Sequence, residues 1–227
     1  MKIVIDAGHG YQTPGKRSPD GMREYEFNRV VANYSKKMLE DYEEVEVFFT
    51  HSDDRDVPLK ERTIRANQLN ADIFVSIHAN ALGAGGWNNG NGIETFVYIS
   101  KPSEACDVAK VIQNRLVDMT GRKNRGVKTA DFQVLRDTKM SSILCECGFM
   151  TDRKEAALLK TDLYRKTCAE AIVIGLVDYY KLTLKTEKIV KGKWKVQVGA
   201  FTSKENADKL GIELIQKGYK VFIVYED

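Results

Sequence analysis

Residues 2–34 read KIVIDAGHGYQTPGKRSPDGMREYEFNRVVANY, and the order of elements in them decides the fold. Lys2–Asp6 is a short, β-branched, apolar run, the pattern of a buried strand. It runs directly into a loop that holds a histidine between two glycines, Gly8-His9-Gly10. Beyond the loop, Phe27, Val30, Val31 and Tyr34 recur at helical spacing. The same alternation repeats along the chain. Strands are predicted at Val45–Thr50, Asp72–Ala79, Ile93–Ser100 and Ser142–Gly148. Helices are predicted over Leu59–Leu69, around Val108, Val111, Ile112 and Leu116, and over the largely apolar Leu163–Tyr180. Strands that alternate with helices predict an α/β fold, a twisted, mostly parallel sheet with helices on both faces.

After Tyr180 the pattern changes. Residues 181–193 carry five lysines against Glu187 alone and read as a linker between a domain at 1–180 and a small βαβ unit at 194–227. In that unit the strands are expected at Lys195–Phe201 and Lys220–Tyr225. Thr202 and Glu205 have capping-box spacing, and Gly218 is placed to stop the helix. The net charge of +3 across 227 residues does not point to nucleic acid. No apolar run approaches the roughly 20 residues of a membrane span. The start MKIVIDAGHG lacks the pattern of a signal peptide, so synthesis in the cytoplasm without a leader is expected. The four cysteines lie in apolar segments, which suits reduced, buried thiols.

In α/β proteins ligands and reactive groups gather at strand ends. Here those ends carry His9, His78 in FVSIHAN and Glu146 in ILCECGF, and the chain has only three histidines. Two imidazoles and a carboxylate form the protein share of a catalytic zinc site, with a fourth position left for water. Either Glu24 or Glu26 fits as the carboxylate. Glu146 then suits a proton carrier, since zinc brings the pKa of bound water down to about 7. Side chains alternate along a strand, so Cys145 and Cys147 point away from Glu146 and are expected in the core. His51, in the polar run THSDDRD, reads as a surface residue.

At IDAGHG, the EYEFN that begins at Glu24, LKERTIRAN, FVSIHANA, FQVLRDTKMSSILCECGF and the last apolar helix, the chain resembles the zinc-dependent N-acetylmuramoyl-L-alanine amidases of amidase family 3. These are hydrolases of bacterial peptidoglycan. The resemblance covers residues 1 to about 180. It implies that His9, Glu24 and His78 bind Zn2+, which decides for Glu24 over Glu26, and that Glu146 is catalytic. Ala7 stands where the family commonly has proline, and two cysteines flank Glu146; neither change removes a functional group. The implied reaction is hydrolysis of the amide between N-acetylmuramic acid and L-alanine of the stem peptide. Asn80, just past His78, is a candidate substrate contact.

Residues 194–227 resemble one repeat of the SPOR-type wall-binding module. A single small repeat buries little surface, and two chains pairing their repeats into a homodimer would relieve that. The expected setting is lysis, by a phage endolysin or a sporulation enzyme of the mother cell. The competing readings are a zinc peptidase acting within the stem peptide and a non-catalytic wall-binding protein.

Overall fold

The computed structural model describes residues 1–13, 16–185, 198–219 and 221–224. It divides into two compact units, Met1–Lys185 and Thr186–Asp227. The first contains β1 (Lys2–Ala7), α1 (Glu24–Leu39), β2 (Glu46–Phe49), α2 (Leu59–Gln68), β3 (Ile73–Asn80), β4 (Ile93–Tyr98), α3 (Ser103–Thr120), β5 (Asn124–Ala130), α4 (Gln133–Arg136), β6 (Ser141–Phe149), α5 (Arg153–Leu159) and α6 (Asp162–Tyr180). The six strands form one sheet in the order β2-β1-β3-β6-β4-β5. Every pairing is parallel except β4 with β6, so the sheet is mixed at one seam.

Alternation along the three central strands sorts side chains onto two faces. Odd-numbered residues (Ile3, Ile5, Ile73, Val75, Ile77, Ile143, Cys145, Cys147) pack with Phe27 and Val31 of α1, Ile112 of α3 and Ile172 of α6. Even-numbered Val4, Phe74 and Leu144 pack with Ala66 of α2 and with Val134 and Leu135 of α4. Helices therefore cover both faces, and the two flanking cysteines lie in the core as expected. Gly175 lets α6 approach α3 closely, because a Cβ there would sit 2.6 Å from Ile112 Cγ1.

In this unit one strand went unpredicted and two predictions from sequence need correction. Strand β5 was not foreseen, because NRGVKTA is polar and lies half-buried at the sheet edge. His51 is not a surface residue: it is 8% exposed, and its Nδ1 accepts the Ala7 N–H at 3.1 Å. Its polar neighbours in sequence face outward while the ring turns inward against Phe49 and Tyr25. Residues 181–185 do not leave the first unit, since Glu43 N donates to Thr183 O and Lys185 N to Asp41 O.

The second unit contains α7 (Lys204–Gln216), the helix expected there. Its N-cap is Ser203 and no side chain caps it, so the Thr202–Glu205 box does not form. Gly218, at φ +88°, ends the helix as foreseen. Residues 198–201 and 221–224 lie within the two expected strands but carry no strand assignment. Two short strands are marginal without a further partner. The rest of those strands, and residues 186–193 of the basic segment, lie outside the described residues. Among the described residues no helix is long and apolar enough to cross a membrane.

Candidate active site

Strand β1 ends at Ala7 and the chain enters the His9 loop at the carboxyl edge of the sheet. His9 itself has φ +65°, a left-handed conformation uncommon for a residue with a side chain and often found where function demands it. Gly8 is required by close approach: a Cβ there would lie 2.1 Å from Cε1 of His78. The loop then returns to α1, whose first residue is Glu24. Glu24 is buried and Glu26 exposed, so the structure brings only the former to the histidines.

The Glu24 carboxylate bridges the two rings. Oε2 lies 3.1 Å from His9 Nε2, and Oε1 lies 2.8 Å from His78 Nδ1. Oε1 also accepts the Ala79 N–H at 3.2 Å. Burial alone would raise the pKa of Glu24, but the hydrogen bonds and charges of His78 and His9 outweigh it and hold it at about 2. Burial lowers His9, yet its contact with Glu24 leaves the ring above its ordinary value. One donor atom from each of His9, Glu24 and His78 falls within 4.8 Å of the others.

Glu146 is the direct cross-strand neighbour of His78 in the β3–β6 pairing. It occupies an even position, on the face opposite Cys145 and Cys147. Its Oε2 is buried without a hydrogen-bond partner. Burial raises its pKa well above the ordinary carboxylate range, and the charges of Glu24 and Glu94 raise it further. These groups share a cavity of about 800 Å³ with Asn80 and an apolar wall that includes Val57, Leu59, Phe132 and Val134. The Asn80 side chain is already engaged internally, donating to Glu94 Oε1 at 2.7 Å and accepting from Ala81 N at 2.8 Å.

Sequence reasoning missed Glu94, which sits opposite Glu146 where β4 runs antiparallel to β6. It is buried and neutralised by Arg125 at 2.7 Å and by Lys128. An acid inside the apolar run IETFVY was the available signal. Also missed were Asp6, Ser76 and Arg62, all buried beside the histidines. The charge inside strand β1 and the arginine of LKERTIRAN were the signs of them.

The donor set fits a zinc ion. Ser76 Oγ donates its one hydrogen to Asp6 Oδ2 at 2.7 Å, so towards His78 Nε2, 3.1 Å away, it accepts. Nε2 therefore keeps its proton towards Ser76, and a cation that displaces the proton shared between Nδ1 and the Glu24 carboxylate oxygen, 2.8 Å apart, would take the Nδ1 lone pair. Two imidazole nitrogens and one carboxylate are also the donor types of a catalytic zinc site.

A family profile described as N-acetylmuramoyl-L-alanine amidase matches residues 3–178, and one for the SPOR domain matches 190–227. The chain is 33% identical over 228 residues to the sporulation-specific N-acetylmuramoyl-L-alanine amidase of Bacillus subtilis, covering 100% of this chain and 86% of that protein. It is 34% identical over 189 residues to the endolysin of Bacillus phage SPP1, covering 81% of this chain and 68% of the endolysin. The crystal structure of N-acetylmuramoyl-L-alanine amidase from Clostridium difficile 630 superposes with a TM-score of 0.75 at 33% identity, over 79% of this chain and 96% of that one. With most of its length inside that match, and a sheet whose carboxyl edge gathers the residues the resemblance singled out, the chain belongs to the N-acetylmuramoyl-L-alanine amidase family.

Proposed function

We propose that this amidase hydrolyses the bond between N-acetylmuramic acid and L-alanine of peptidoglycan with a zinc ion held by His9, Glu24 and His78. The observation that carries the reading is the convergence of those three donors within 4.8 Å, one strand away from the unpartnered oxygen of Glu146. When bound, zinc supplies Lewis-acid activation of water and of the amide carbonyl. Glu146 takes a proton from the attacking water and delivers it to the alanine nitrogen as the C–N bond breaks. Its raised basicity suits it to that exchange. The lactyl carbon gains the hydroxyl, leaving a carboxylate on the glycan and a free amino terminus on the peptide. The apolar wall shields the reacting amide, and Asn80 contacts substrate with whatever its two internal bonds leave free.

The SPOR domain holds the enzyme on the glycan. Phe222, Tyr219 and Ile212 are 86%, 64% and 57% exposed, which supports pairing of two such units in a homodimer. A monomeric mass by light scattering at micromolar concentration would exclude that pairing. The proposed place of action is the cell wall, reached when the producing cell lyses. The match to a sporulation-specific amidase over the whole chain supports a mother-cell enzyme. Phage lysis is the second setting, supported by the endolysin.

The test is a digest of purified peptidoglycan with and without a chelator, scored for new amino-terminal alanine and new reducing ends. Chelator-sensitive alanine termini without reducing ends are expected. Another amino-terminal residue would indicate a stem-peptide peptidase, and no cleavage by zinc-loaded protein would leave a wall-binding protein.

A further inference from the structure

Asp6, the penultimate residue of β1, is buried, and its carboxylate receives three hydrogen bonds. Thr50 Oγ1 at 2.7 Å and Arg62 Nη1 at 2.8 Å donate to Oδ1, and Ser76 Oγ donates to Oδ2. Burial would raise its pKa, but Arg62 and the two hydroxyls outweigh that and keep it below the ordinary carboxylate value. A buried ion pair contributes little stability over an apolar pair of the same size, so its presence here calls for another reason. Arg62 supplies one. Its guanidinium also donates to the carbonyls of Ala7 at 2.6 Å, Val57 at 2.9 Å and His9. One side chain of α2 thus grips the backbone on both sides of Gly8. Through Asp6 and Ser76 the same network reaches the Nε2 edge of His78.

We propose that Arg62, Asp6 and Ser76 are positioning residues that hold both histidines for the metal. Arg62 fixes the left-handed backbone of His9, and the Asp6–Ser76 relay fixes the tautomer and ring orientation of His78. The proposal rests on the zinc reading given above. Metal-binding histidines commonly donate their second ring N–H to a carboxylate or carbonyl, and loss of such a partner weakens metal binding about 10–100-fold. Here a serine stands between ring and carboxylate.

The test compares full-length proteins carrying Ser76→Ala, Asp6→Asn and Thr50→Ala, with zinc affinity read by chelator competition and melting read without metal. Ser76→Ala and Thr50→Ala each remove one hydroxyl bond to Asp6, but only Ser76 touches His78. Ser76→Ala should weaken zinc about 10–100-fold, while Thr50→Ala lowers the melting temperature and leaves zinc affinity unchanged. Asp6→Asn preserves shape. Arg62 only donates, so the amide oxygen must face it and the NH2 must face Ser76. The Ser76 hydrogen then turns to His78 Nε2 and forces the proton onto Nδ1, so this variant should also bind zinc weakly. Nitrogen-15 NMR of the zinc-loaded wild type should show Nδ1 of His78 on the metal and Nε2 protonated. Wild-type zinc affinity in Ser76→Ala, equal weakening by Thr50→Ala, or zinc on Nε2 would each overturn the proposal. A wild-type protein that binds no zinc would instead overturn the ligand assignment, and the proposal with it.

Discussion

Removing the ring of His51 should change how the fold responds to acid. The ring is 8% exposed, stacks near Phe49 with centroids 4.4 Å apart, and accepts the Ala7 N–H at Nδ1. Protonation would set a ring N–H against a backbone N–H in an apolar pocket. Burial therefore drives its pKa down, with Asp6 opposing and Arg62 assisting, to about 4. In the unfolded chain the value is about 6.5. Below that pH the unfolded chain binds a proton that the folded one refuses, so stability is full above about 6.5 and is lost as pH falls towards 4. At about 1.4 kcal/mol per pH unit the loss approaches roughly 3 kcal/mol. His51→Gln keeps an acceptor for Ala7 and removes the titration. Urea unfolding of metal-free wild type and variant at a series of pH values between about 7.5 and 4.5 measures the difference. His9 has a raised pKa and acts in the opposite sense, but it is common to both proteins and cancels. The wild type should lose stability more steeply than the variant; parallel curves would refute the reasoning.

Glu146→Gln should keep one zinc per chain and lose about 10²–10⁴-fold in kcat, measured by alanine release beside metal analysis, because the carboxylate moves protons and does not hold the metal. Zinc loss in that variant would exchange the roles of Glu146 and Glu24. Gly8→Ala drives a methyl to 2.1 Å from the His78 ring, and zinc affinity by chelator competition should fall by at least the about 10–100-fold of an outer-shell change. Glu94→Gln removes a negative neighbour that raises Glu146, so the acidic limb of the kcat/KM profile should move to lower pH; an unmoved limb would show that Glu94 does not act on the proton carrier.

The features legible in the sequence were those written in runs. Strands β1, β3 and β6 are continuous apolar segments because they are buried on both faces, and their ends delivered His9, His78 and Glu146. Helical spacing located α1, but periodicity alone left Glu24 and Glu26 both open; the structure buries the first and exposes the second. What stayed hidden depends on contacts between distant segments. His51 looks solvent-exposed among SDDRD until Ala7, 44 residues earlier, offers its N–H. Glu94 matters because β4 alone runs against β6, and no local pattern states strand direction. The Asp6–Arg62 pair spans 56 residues, and each partner in isolation resembles an ordinary charge near a strand end or on a helix.

The even-and-odd division of the central strands has an evolutionary consequence. Asp6, Ser76, His78 and Glu146 all fall on even positions, while the core-facing residues between them fall on odd ones. A single-codon insertion or deletion inside β3 or β6 would exchange the two sets on one side of the change, turning chemistry into the core and cysteine or isoleucine towards the cavity. The loop between β3 and β4, rich in glycine and asparagine, is held at points rather than by a two-residue alternation, since Asn88 N donates to Thr151 O at 2.8 Å and Gly92 N to Glu155 Oε1 at 2.9 Å. The strands beneath the site therefore accept substitutions but not changes in length.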